Sequence, residues 1–152
     1  MEMYNAEVKP IKRFRGEYRF LSNFWDAEVT HRGRTFPTVE HAYQAAKTHD
    51  PQMRMVIQDA SNPGLAKKMG SDAILRPDWE DIKVGVMGEL LEKKFSIPEL
   101  ERKLVETYPA QLIEGNYWGD DFWGVTDNGD GKGKNQLGKL LMKIRLKKVE
   151  DQ

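Results

Sequence analysis

The chain has 152 residues, 39% hydrophobic and 32% charged, and its twenty-four basic and twenty-four acidic side chains cancel to a formal net charge of zero. That balance fits a single globular domain over residues 1–152 and argues against disorder and against a chain-wide electrostatic grip on nucleic acid or an anionic membrane. Zero cysteines exclude disulfides, thiolate metal sites and thiol nucleophiles. With no N-terminal apolar h-region and no run of about eighteen apolar residues, the expected setting is cytoplasmic, without a membrane partner.

Residues 7–36 read as β-rich. Short runs such as Tyr18-Arg-Phe-Leu21 and Ala27-Glu-Val-Thr30 favour strands, and His31-Arg-Gly-Arg34 favours a turn. Helical signals then dominate. Thr38 is an N-cap candidate after Pro37, and Val39, Ala42, Tyr43 and Ala46 follow at i, i+3, i+4, i+7. Asp50-Pro51 opens a second helix, with Met53, Val56, Ile57 and Ala60 at the same spacing, and Asn62-Pro63 opens a third that Gly70 is placed to end. Asp78 can cap a fourth, running to about Phe95 with Trp79, Ile82, Val86 and Leu90 on one stripe. Ser96-Ile-Pro-Glu99 has the capping-box pattern and starts a fifth, which stops before Pro109.

Residues Gly115 to Gly138, GNYWGDDFWGVTDNGDGKGKNQLG, carry seven of the thirteen glycines, two of the four tryptophans and four aspartates. Glycine permits close backbone approach, tryptophan offers a flat apolar face, and aspartate adds charge. The mixture suits a loop around a flat, polar, phosphorylated small molecule; it equally describes a glycine-rich surface loop anchored by two tryptophans. Leu137, Leu140, Leu141 and Ile144 then mark a last helix. Strands at the front and around Trp118 and Trp123, with about six helices, predict a helix-rich α+β fold with a small β portion. Helices and strands do not alternate regularly, which excludes a doubly wound parallel sheet.

Several motifs fail on inspection. A phosphate-binding Gly-x-x-x-x-Gly-Lys-Ser/Thr is broken by Asn128 and Asn135, and the Asp127–Asn135 run lacks the glutamate that closes a calcium loop. His41 and His49 make a poor metal pair, so no metal and no cofactor is expected. Lys132, Lys134 and Asn135 precede the last helix, where free N–H groups and the dipole favour phosphate; a solvated turn with an Asn N-cap explains the same residues. From Lys132 to Lys148 there are seven basic residues and no acidic one, which is either a solvated face or a contact to a nucleic-acid backbone. Glu40, Gln44 and Lys47 form a polar stripe at i, i+4, i+7. In a helix's first turn the dipole keeps Glu40 ionised, as a general base or a stabiliser of positive charge requires. The plain alternative is an exposed Glu/Lys pair. Trp79 and Lys83, one turn apart, are open to a similar choice between core and stacking platform.

Taken together, Phe20-Leu-Ser-Asn-Phe24, Phe36-Pro-Thr-Val-Glu-His-Ala-Tyr-Gln-Ala-Ala-Lys47, Ala66-Lys-Lys-Met-Gly70, Asp78-Trp-Glu-x-x-Lys83, Tyr117-Trp-Gly-Asp120 and Gly131-Lys-Gly-Lys-Asn-Gln-Leu-Gly138 resemble the NADAR family of YbiA-like N-glycosidases, in order over about 14–146. The resemblance implies an enzyme that hydrolyses the N-glycosidic bond between a ribose, as ribose 5-phosphate or ADP-ribose, and a nitrogenous base. Ribosylamino-pyrimidine phosphates of riboflavin synthesis are one implied substrate. ADP-ribose on guanine in nucleic acid is another, and a non-catalytic ADP-ribose or nucleotide-binding module is the competing class. Glu40 matches the family's important glutamate and Trp79 a tryptophan of its pocket. Asp120 is a second catalytic candidate beside Asp121. The substrate-binding set is Asn23, Phe24, His41, Gln44, Lys47, Trp79, Lys83, Trp118, Trp123, Lys132, Lys134 and Asn135; whether Trp118 or Trp123 faces substrate stays open. With no ligand cluster in the sequence, turnover is expected to survive exhaustive chelation, and activity lost to a chelator but restored by one divalent ion would reveal a carboxylate-built metal site.

Overall fold

The structure is a computed structural model that describes residues 1–152. It contains a two-stranded antiparallel sheet of β1 (Val29–His31) and β2 (Arg34–Phe36). Six α-helices follow: α1 (Val39–Ala46), α2 (Pro51–Gln58), α3 (Pro63–Ser71), α4 (Trp79–Lys94), α5 (Pro98–Glu106) and α6 (Gln136–Glu150). The architecture is α+β and helix-rich, as the sequence predicts. The chain forms two compact units, Asn23–Lys94 and Met1–Ser22 with Phe95–Gln152.

In the unit Asn23–Lys94, Arg32 and Gly33 turn the hairpin with φ of 51° and 81°. Positive φ at both central residues matches the right-handed twist of the paired strands, and it sets the register His31 to Arg34, Thr30 to Thr35, Val29 to Phe36. Three helices start where their caps say. Thr38 accepts from the His41 N–H, Asp50 from Gln52 and Asn62 from Leu65, each satisfying an amide without a partner inside its own helix. Asp78, read as a cap for α4, instead accepts two bonds from the Arg76 guanidinium at 2.6 and 3.1 Å.

Helix α1 lies among α2, α3, α4 and the hairpin, and all eight of its residues are buried. The polar stripe Glu40–Gln44 is therefore interior, whereas period alone leaves it free to face solvent. Gly70 does not end α3, which runs on to Ser71. It clears room for a neighbour: a Cβ there would sit 2.7 Å from Cδ of the buried Gln44.

In the other unit, Gly16–Leu21 forms a 3₁₀ helix in place of the predicted strand. Strand-favouring residues form a strand only against a partner, and none pairs with this run. The predicted strands around Trp118 and Trp123 reduce to two isolated parallel bridges, Ile11 with Leu112 and Gly115 with Val125. The capping box at Ser96 does not form, because α5 begins at Pro98 with Ile97 as its N-cap and no side-chain cap bond. Leu137, Leu141, Met142 and Ile144 bury one side of α6. Arg145 interrupts the basic run read along that helix. It is fully buried, with its guanidinium on Thr107 Oγ1 at 3.0 Å and the Met3 carbonyl at 2.8 Å.

Two glycines separate the reasons for having no side chain. Gly70→Ala is expected to cost about 1–3 kcal/mol by overpacking against Gln44. Gly85→Ala, inside α4 with nothing within 4 Å of the new Cβ, is expected to add about 0.5–1 kcal/mol by removing backbone freedom from the unfolded chain. Urea unfolding midpoints of the two variants check both signs.

Candidate active site

Glu40 is the second residue of α1. Its N–H donates to the Asn23 carbonyl at 3.1 Å, and its Oε2 accepts from Gln44 Nε2 at 2.7 Å. The side chain is buried at 8% exposure. Burial pushes its pKa above the ordinary carboxylate value of 4.5; the Gln44 hydrogen bond and the charges of Lys67 and Lys47 pull the other way without cancelling it. This corrects the expectation from the helix dipole alone: loss of hydration outweighs a dipole term worth up to about 2 kcal/mol.

The lysines form a group. Burial lowers the pKa of Lys47, Glu40 opposes that shift, and Lys67 and Lys83 reinforce it by repulsion. The Lys47 ammonium lies 5.5 Å from the Tyr43 ring centroid, and Tyr43 packs at 5.1 Å and 56° on Trp79. Trp79 is 4% exposed and Tyr43 6%, so the two rings pack as a buried pair. Lys83 pairs with Glu80 at 2.7 Å. Lys67, and Tyr43 that the sequence places only in an apolar stripe, are the members left out of the expected site, although Lys67 stands one helical turn before Gly70 and so shares its face.

His41 turns away from this chemistry. Its Nε2 lies 3.0 Å from the Ala60 carbonyl, which can only accept, so Nε2 carries the proton; Nδ1 takes the Thr38 hydroxyl at 2.8 Å. Both ring nitrogens are thus committed to holding α1. Asn23 donates weakly to Met87 Sδ at 3.5 Å, and Phe24 is 40% exposed. In this unit two buried amide oxygens, Asn23 Oδ1 and Gln44 Oε1, have no hydrogen-bond donor; in the other unit Asn128 Oδ1 is a third. In a protein interior that is costly, and it marks places where a ligand's hydroxyl can bind.

In the other unit the glycine-rich segment is held together by its own side chains. Asn116 accepts from the Asp120 N–H at 3.0 Å and donates to the Asp120 carbonyl at 2.8 Å, and Asp120 Oδ1 accepts from the amides of Phe122 and Trp123 at 3.1 and 2.9 Å. Asp121 is exposed. Trp123 is half-buried, edge-on to Phe122 at 4.9 Å; Trp118 is 52% exposed, edge-on to Tyr117 at 5.2 Å.

The free N–H groups expected before α6 are occupied. The amides of Lys134, Asn135, Gln136 and Leu137 donate to the carbonyls of Asp121, Gly124, Phe122 and Trp123. Asn135 makes no cap bond. Its buried side chain accepts from Glu114 N–H at 3.0 Å and donates to the Leu112 carbonyl at 2.9 Å. Lys132 and Lys134 are exposed, with the Lys134 ammonium 5.5 Å from the Phe122 ring centroid. No three His, Asp or Glu side chains come together as a metal site, and no helix is long and apolar enough to cross a membrane.

A helix-rich α+β fold with a buried glutamate among lysines narrows the class, and comparison with known proteins fixes it. The NADAR domain matches residues 11–147. N-glycosidase YbiA of Escherichia coli (strain K12) is 43% identical over 134 residues, 85% of this chain and 81% of that protein. A riboflavin biosynthesis protein of Vibrio vulnificus (strain YJ016) is 36% identical over 129 residues, 83% of this chain but 34% of its own length. The NMR structure of E. coli YbiA superposes with a TM-score of 0.78 and 35% identity, covering 99% of this chain and 95% of that one. The chain belongs to the NADAR family.

The raised pKa of Glu40 has a measurable consequence. The native fold binds that proton more tightly than the unfolded chain, so stability falls as pH rises from about 4.5 through the native titration and stays lower above it. Glu40→Gln is uncharged and nearly isosteric. Its thermal midpoint relative to wild type is expected to climb with pH over that window and then level; a pH-independent gap would mean that Glu40 titrates like an exposed carboxylate.

Proposed function

We propose that this protein hydrolyses the bond between C1 of a phosphorylated ribose and the nitrogen of a base, with Glu40 acting at C1 and ribosylamino-pyrimidine phosphates as substrates. The enzyme class, a hydrolase of N-glycosyl compounds, follows from the likeness to YbiA over most of both chains. The substrate is our reading, prompted by the riboflavin biosynthesis relative. The observation that carries the mechanism is a buried carboxylate anchored by Gln44 and facing lysine charge.

As the C1–N bond breaks, its electron pair leaves with the base and the sugar becomes oxocarbenium-like. An anionic Glu40 stabilises that positive charge and can then accept a proton from the water that attacks C1; passing that proton to the departing nitrogen completes the base and restores the carboxylate. The raised pKa suits the second task, since a carboxylate titrating closer to neutral is a stronger base. Lys67, Lys47 and Lys83 supply cations for the phosphate. The unmet amide oxygens of Asn23 and Gln44 suit ribose hydroxyls. His41 and Asn23 position Glu40 through α1, and Asp120, whose Oδ1 holds two loop amides, positions Trp123 rather than acting on substrate.

A second reading, release of ADP-ribose from guanine in nucleic acid, is favoured by Tyr117 and Trp118, 70% and 52% exposed, with the Arg15 guanidinium 5.4 Å from the Tyr117 centroid. Exposed aromatics beside a cation suit unstacked bases. Incubation with ribosylamino-pyrimidine phosphates and, in parallel, with ADP-ribosylated DNA decides between them by the sugar released. Turnover of only the DNA would overturn the first reading.

Glu40→Gln is expected to lower kcat by about a hundredfold or more while leaving affinity for product nearly unchanged, because the lost interaction belongs to the transition state. Sugar release and calorimetry measure the two. Lys67→Gln is expected to raise KM for the phosphorylated substrate more than for its dephosphorylated form; an equal change would remove Lys67 from the phosphate site.

A further inference from the structure

The opposite face of α1 carries a second constellation. At 100° per residue, Ala42, Ala45 and Ala46 lie across the helix from Glu40, Gln44 and Lys47. These three alanines floor a cavity whose walls include Arg32 and Arg34 from the hairpin, Arg54 from α2 and Arg76 from the segment before α4. We propose that this cavity is an anion site for a phosphate or diphosphate group, separate from the Glu40 face.

Four guanidiniums gathered around one cavity repel each other unless a counter-charge lies between them. Asp78 supplies one on the outer side, held by Arg76. Arg32, Arg34 and Arg54 take part in no ion pair: Arg34 donates to Gln58 Oε1 at 3.2 Å and Arg54 Nε to the Thr48 carbonyl at 2.6 Å, both neutral acceptors. Burial lowers the Arg54 pKa, and the charges of Arg76, Arg34 and Arg32 lower it further, with no carboxylate acting against them.

The cluster is also held in place. The Arg76 N–H donates to the Lys47 carbonyl next to the Thr48 carbonyl gripped by Arg54, so both arginines are tied to the chain that leaves α1. Alanine at three floor positions leaves the room that larger side chains would fill. Asp78 takes the Nε/Nη2 edge of Arg76, and Arg54 Nε and Arg34 Nη1 are also bonded, so the remaining guanidinium N–H groups and the whole fork of Arg32 are what a ligand would meet. Several guanidiniums lining one cavity favour a group with two or more negative charges over chloride or a monocarboxylate. A free phosphate ion and the diphosphate of a nucleotide share this chemistry.

The test is a titration of the intact protein with pyrophosphate, inorganic phosphate and ADP at constant ionic strength, followed by the 15N-labelled arginine Nε–H resonances. Saturable shifts at Arg34, Arg54 and Arg76 are expected, strongest for pyrophosphate if the site takes a free ion and for ADP if it takes a nucleotide. Arg54→Gln is expected to raise the dissociation constant at least tenfold. Arg32→Gln, on the exposed hairpin turn, gives the same direction should the Arg54 variant unfold. Lys67→Gln, on the other face of α1, should leave this binding intact while weakening the ribose phosphate site. Shifts no larger than those with chloride, or shifts lost in Lys67→Gln and kept in Arg54→Gln, would overturn the proposal without touching the N-glycosidase reading.

Discussion

Helix α1 is buried on every side, and much of the unit Asn23–Lys94 is arranged to make that tolerable. A short helix of sequence VEHAYQAA brings a carboxylate, an imidazole and an amide into the interior, and each must find a partner or weaken the fold. The imidazole is locked between Thr38 and Ala60 and the carboxylate is bonded to Gln44, with lysine charge close by. Within this unit, what is left unmet lies at two amide oxygens, Asn23 Oδ1 and Gln44 Oε1, the second on the side chain that bonds the glutamate. A buried amide oxygen without a donor is a place where a ligand's hydroxyl can bind, and the one on Gln44 adjoins Glu40.

Much of this was legible in the sequence, wherever the determinant is local. The caps at Thr38, Asp50 and Asn62 act within three residues, and the turn at Arg32-Gly33 is set by backbone conformation at two positions. The stripe Glu40–Gln44–Lys47 follows from helical period. The sense of that stripe does not, since period states which residues share a face and only tertiary packing states whether the face is wet. The same limit explains Gly70, which reads as a helix stop but answers to Gln44 from another helix, and Asn135, which reads as a cap but bonds residues more than twenty positions earlier. Tyr18–Leu21 and the tryptophan segment failed as strands because strand propensity needs a partner that local sequence cannot name.

The family likeness supplied what geometry alone lacks, a reaction. Geometry in turn revises the residues. It sets Lys67 and Tyr43 beside Lys47, packs Trp79 on Tyr43, bonds His41 to Thr38 and Ala60, and bonds Asp120 within its own loop. Those last two carry chemistry-bearing side chains in conspicuous motifs, yet the hydrogen bonds of their side chains go to a helix cap, a carbonyl and two loop amides. A motif therefore records what a site needs to stay in shape as much as what it does to a substrate.

The four amides of Lys134 to Leu137, leading into α6, point to a different kind of consequence. By donating to the carbonyls of residues 121–124, they splice the tryptophan segment onto the helix end. A loop with seven glycines in its neighbourhood looks built to swing, but here any swing must break a row of backbone bonds at once. Its opening is then a cooperative event rather than a hinge motion, and its amides should exchange with solvent on the timescale of the first turn of α6 instead of that of a loose loop.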